Sequence, residues 1–94
     1  MSLFGFGESS TPVARTKTKW YLVSTVLPTD THGMYETMVF PLNKSGDVAS
    51  NQELEVQHYE SRHLAEEGHK KIVLKWKQYD EDRSELSWHE YMIT

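Results

Sequence analysis

Ninety-four residues allow one small domain, since domains most often run to roughly 100–150 residues. Hydrophobic content of 37% beside 26% charged residues excludes a disordered chain, and three Trp, five Tyr and three Phe must supply much of a small core. A net charge of −4 excludes general affinity for nucleic-acid backbones, and the absence of cysteine excludes disulfides, a thiolate nucleophile and Cys-based zinc sites.

Small secreted domains often need disulfide staples, so a chain without cysteine favours an intracellular origin. No apolar run approaches the roughly 18–20 residues of a membrane span. The amino terminus, Met-Ser-Leu-Phe-Gly-Phe-Gly-Glu, lacks the basic start and sustained apolar run of a signal peptide.

Residues 1–18 read as a flexible amino-terminal tail, rich in Gly, Ser, Thr and Pro. Phe4 and Phe6, flanked by glycine, are candidate docking residues within it. Residues 20–27, Trp-Tyr-Leu-Val-Ser-Thr-Val-Leu, predict a strand with apolar residues on both faces, hence a central one. Pro28 closes it, and Gly33 is free to take a positive φ in the turn that follows. Residues 34–40 predict a second strand, antiparallel to the first across a short connection. Pro41 leads into a polar loop with a turn at Lys44-Ser-Gly-Asp47. Residues 54–59 predict a short edge strand whose Glu53 and Glu55 discourage edge-to-edge pairing.

The clearest element is a helix over residues 61–79. Ser61 is a good N-cap. Leu64, Ala65, Gly68, Ile72, Trp76 and Tyr79 recur at spacings of three and four and form one inward face. Glu66 with Lys70 and Glu67 with Lys71 are i,i+4 pairs on the outer face. A glycine in mid-helix costs about 1 kcal/mol against alanine, so Gly68 on the inward stripe points to close approach of helix and sheet. Asp80-Glu-Asp-Arg83 reads as the end of the helix or the start of a loop. Residues 84–94 then form either a short second helix, which the spacing of Trp88, Tyr91 and Met92 favours, or an extended tail.

Five histidines invite a metal hypothesis. His63 and His69 are six apart on a helix and project to different sides, and no two histidines have the three- or four-residue spacing of helical ligands. The simpler reading is surface or capping histidines. No Gly-x-Ser-x-Gly elbow and no phosphate loop occurs. No catalytic residue, cofactor or metal site is therefore expected, and the chain does not read as an enzyme. Aromatic residues are the better lead, because Trp and Tyr dominate binding hot spots.

Two stretches carry a resemblance: residues 20–40, with Val-Ser-Thr-Val-Leu and then Tyr35-Glu-Thr-Met-Val-Phe40, and residues 59–73, Tyr-Glu-Ser-Arg-His-Leu-Ala-Glu-Glu-Gly-His-Lys-Lys-Ile-Val. Together they are similar to a group of small, uncharacterised bacteriophage and prophage proteins. These share a Glu-Thr-Met-Val-Phe-like strand and a Tyr-x-Ser entry to a helix with Ala-x-x-Gly-His. Residues 1–18 and 80–94 have no counterpart in that group, and the loop 41–53 is longer. The resemblance implies a phage or phage-derived origin and no activity.

The expectation is an α+β fold: a small antiparallel sheet of about three strands, with one main amphipathic helix on one face. The domain spans 19–94, its core 20–79, finished by a carboxy-terminal segment 84–94. The expected function is that of a phage accessory protein binding a host protein in the host cytoplasm. One alternative is a minor virion or assembly component that docks through its amino-terminal arm onto a phage structural subunit, and a second, less favoured, is a metal-dependent enzyme using the histidines. Phe4, Phe6, Trp88 and Tyr91 are the candidate partner-binding residues, with no nucleic acid or membrane among the partners.

Overall fold

A computed structural model describes residues 10–29 and 33–93, with side chains as far as residue 81. It is an α+β fold. Four strands form one antiparallel sheet in sequence order: β1 (Ser10–Lys17), β2 (Tyr21–Pro28), β3 (Tyr35–Pro41) and β4 (Glu55–Tyr59). One helix, α1 (Arg62–Ile93), packs across one face of the sheet.

The first departure from expectation is β1. The composition of residues 1–18 reads as a tail, yet Ser10–Lys17 pairs with β2 along its length. The register slips between Pro12 and Ala14, leaving Val13 as a bulge, which accommodates a proline that cannot donate to the ladder. The sheet therefore has four strands rather than three. β2 is central, as its two apolar faces predict: Tyr21 through Val26 are all buried.

Alternation sorts the sheet into two faces. Tyr21, Val23 and Val39 meet Ile72, Val73 and Trp76 of α1 in one core. Val23 and Val39 are completely buried, and each such side chain stabilises by roughly 1.5–3 kcal/mol. Leu22, Val26, Met38, Phe40 and Leu42 form a second core on the opposite face. The β3–β4 loop folds over that face: Leu42 bridges Val48, Val48 packs on the core, and Lys17 Nζ donates to the Gly46 carbonyl at 2.8 Å. The loop's turn is built by Asn43, whose Oδ1 accepts from the Ser45 and Asp47 amides, with Gly46 at φ 85°.

Helix α1 starts as its sequence predicts. Ser61 Oγ accepts from the Leu64 amide at 3.1 Å, an N-cap bond. Its end is a correction. The acidic run from Asp80 does not stop the helix, which continues to Ile93 without a second element. Asp80 is the reason. Its side chain is buried and turned inward, accepting from the backbone amides of Lys19 (2.9 Å) and Trp20 (3.0 Å) in the β1–β2 turn. An acid whose carboxylate satisfies distant amides leaves the local backbone to the helix. Asp80→Asn keeps the shape but offers only one amide-accepting oxygen, so it should cost about 1 kcal/mol in chemical denaturation. No loss of stability would contradict this tie.

Two further details differ from the sequence reading. Leu64, assigned to the inward stripe, is 51% exposed. The helix charges pair as Arg62–Glu66 and Lys70–Glu67, and no Glu67–Lys71 pair forms.

Candidate functional site

The inward face of α1 is Ala65, Gly68, His69, Ile72, Trp76 and Asp80, one residue per turn or two. His69 is the unexpected member. Read from spacing as a surface or capping residue, it is 6% exposed and inserted between helix and sheet. Its Nδ1 lies 2.7 Å from Thr25 Oγ1 on β2, and its Nε2 lies 2.9 Å from Thr16 Oγ1 on β1. Thr25 Oγ1 is in turn 2.6 Å from Thr37 Oγ1 on β3. One histidine thus joins the helix to three strands through three threonines.

Proton accounting selects one arrangement. A neutral imidazole has one donor and one acceptor. If Nε2 carries the hydrogen, it donates to Thr16, Thr25 donates to Nδ1 and Thr37 donates to Thr25. Every buried donor is then used, and the spare hydroxyl belongs to half-buried Thr16. The other tautomer leaves Thr37, which is fully buried, to find an acceptor outside the network. Burial depresses the His69 pKa below the ordinary histidine value, because the charged form is desolvated. Only hydroxyls face it in the network, and no carboxylate repays that cost.

Two neighbouring contacts fix the same interface. The Tyr59 ring at the end of β4 lies over Gly68, so closely that a Cβ there would overlap the ring carbons and hydroxyl. Glu55, on the helix-facing side of β4, accepts from Trp76 Nε1 (2.7 Å), Lys75 Nζ (3.0 Å) and Gln57 Nε2 (2.8 Å). Burial opposes its charge, but those three donors outweigh burial and hold its pKa below the usual carboxylate range. Trp76 is further clamped edge-on between Tyr21 and Tyr79, at ring-centroid distances of 4.6 and 4.8 Å.

Chemically this is a fastening. Thr25 is fully buried, so no solute reaches the hydroxyl beside the imidazole. Among the described residues no group of three His, Asp or Glu is placed to hold a metal ion. A cavity of about 210 Å³ opens at the β1 bulge, where Pro12, Arg15, Ser24 and Val26 contribute to its wall. Nothing in its lining pairs a nucleophile with a base.

Of the four candidate partner-binding residues, Phe4 and Phe6 lie outside the described residues. Trp88 and Tyr91 fall within the helical backbone of α1, and their side chains lie outside the described residues. What the structure adds is their setting: a continuous helix that runs on for thirteen residues past Asp80, where its described tie to the β1–β2 turn is made. The signal for His69 was present in the sequence, since it follows Ala65 by four and precedes Ile72 by three. No helix among the described residues is long and apolar enough to cross a membrane. No protein family, curated protein or solved structure matches the chain.

Proposed function

We propose that the chain is a small phage-derived accessory protein that acts by binding another protein, a host protein in the host cytoplasm. The observation that carries this reading is the length of α1. Its packing on the sheet and its tie at Asp80 use the first nineteen residues, and the remainder extends the helix without being needed for those contacts. A helical segment whose sequence spaces Trp88 and Tyr91 three residues apart has the form of a helix-in-groove ligand. Aromatic anchors of that kind dominate binding energy. The resemblance to phage proteins supports the choice of a host protein as partner.

The test uses the full-length chain. The wild type and a Trp88→Ala/Tyr91→Ala variant are tagged, expressed in host cells and purified with their partners. The variant should retain wild-type thermal stability and lose at least tenfold of a specific co-purifying host protein. An unchanged partner set would remove the helix extension from the reading. Recovery of the protein in purified particles, with no host partner, would favour the virion alternative.

A further inference from the structure

The two edges of the sheet are built differently. β1 carries the usual protection against pairing: Pro12, the bulge at Val13, and the cations Arg15 and Lys17. β4 has no proline, lysine or bulge in Glu55–Tyr59. Of the two residues expected to guard it, Glu53 and Glu55, only Glu55 lies within the strand, and it is turned under α1 and engaged by Trp76, Lys75 and Gln57. Its side chain is only 12% exposed, so the guard inside the strand is withdrawn, and the exposed Glu53 stands two residues ahead of it, outside β4.

Apolar side chains flank that edge on both faces. Leu54 and Val56 are 48% and 38% exposed beside it. Val56 pairs with Met38 on the face away from the helix. On the helix side, Gly68 lies over Tyr59 and Lys75 binds Glu55, so this flank of α1 overhangs β4. Leu64 and Lys71 belong to the same flank by helical spacing. Leu64 is 51% exposed, and Lys71 makes no ion pair among the described residues.

We propose that two copies of the chain join their β4 strands antiparallel about a two-fold axis at Val56, making one eight-stranded sheet. The strand is self-complementary in that register. Val56 meets its own copy and Leu54 lies opposite His58 on the outer face. Glu55 lies opposite Gln57 on the helix face, beneath the overhanging Lys71 of the other copy. No like charges are directly opposed, a condition for cross-strand pairing. The same patch serves both partners, as an isologous interface requires. A five-residue seam is small, so the dimer forms reversibly with concentration. This proposal is independent of the helix-mediated binding above.

The absence of cysteine makes a direct test available. Val56→Cys should cross-link to a covalent dimer under mild oxidation, at least tenfold faster than Leu74→Cys, which is 69% exposed on the outer side of the helix. Sedimentation equilibrium of the wild type should show the mass doubling with concentration, and Val56→Lys should remain monomeric with unchanged thermal stability. Trp88→Ala/Tyr91→Ala should dimerise as the wild type does, which separates this seam from the helix extension. A wild type that stays monomeric into the millimolar range overturns the proposal. So does a dimer indifferent to Val56→Lys. A monomeric chain whose host partner is lost in Val56→Lys would assign the edge to a foreign strand, and would also overturn self-pairing.

Discussion

His69→Ala should destabilise the fold by about 2–4 kcal/mol in chemical denaturation. Part of that loss is packing, because an imidazole removed from a helix–sheet interface leaves a cavity. The rest is polar. Thr25 loses the acceptor at 2.7 Å, and a buried hydroxyl left without its partner costs about 1–3 kcal/mol. The test of mechanism is a double-mutant cycle. Thr25→Val alone strands the imidazole Nδ1 and the Thr37 hydroxyl, and His69→Leu alone strands the Thr25 hydroxyl. Replacing both with apolar groups of similar shape removes the mismatch between these two, while the loss at Thr37 is common to Thr25→Val and the double variant and cancels, so the double variant should cost less than the sum of the singles by at least about 1 kcal/mol. Additive losses would mean that the 2.7 Å contact contributes nothing to stability.

The same histidine sets a pH dependence. Its pKa is depressed in the fold and ordinary in the unfolded chain, near 6.5. Above that value both states are neutral and the group has no effect. As pH falls below about 6.5 the unfolded chain takes up a proton that the folded chain refuses. Stability therefore declines, levelling off once pH passes below the folded-state pKa. Glu55, with its lowered pKa, adds a further loss only below about 4.5. The decline between these values should be absent from the Thr25→Val/His69→Leu variant.

Gly68→Leu should cost about 2–3 kcal/mol. Leucine is the better helix former by nearly 1 kcal/mol, so the sign of the result is informative. The side chain would enter the volume already held by the Tyr59 ring, and overpacking of a filled interface typically costs about 1–3 kcal/mol. The ring is a side-chain terminus and can be removed. In a Tyr59→Ala background, Gly68→Ala should become stabilising by up to about 1 kcal/mol, because only the propensity difference remains. Thermal unfolding of the four proteins in that cycle would decide it. A neutral Gly68→Leu would mean that α1 does not rest on β4 as described.

These residues also show what could be read before the structure was known. The strands at 20–27, 34–40 and 54–59 and the helix from Ser61 were legible because their periods and punctuation agree: β-branched runs, bounding prolines, a capping serine. Gly68 was legible as a close approach, though not the identity of Tyr59. β1 was not. Thr11, Pro12, Ala14, Arg15 and Thr16 give no apolar alternation, because an edge strand with little to bury need not carry one. The continuation past Asp80 was hidden for a different reason. An acidic run reads as solvent-facing, and only the third dimension brings the Lys19 and Trp20 amides to it. His69 was judged as a possible metal ligand, where its spacing fails, and not as a polar member of the inward stripe, where its spacing fits. The partner-binding residues depend on surfaces that fold and spacing do not specify.

The stability and pH effects at His69 depend on α1 being fastened to the sheet by a neutral, buried imidazole. Nitrogen-15 NMR of the His69 ring through a pH titration examines that fastening directly. The expected result is an Nε2–H tautomer with Nδ1 unprotonated, persisting as pH falls below the ordinary histidine value near 6.5. A His69 ring that titrates as an ordinary exposed histidine, its two nitrogens averaging, would contradict the account.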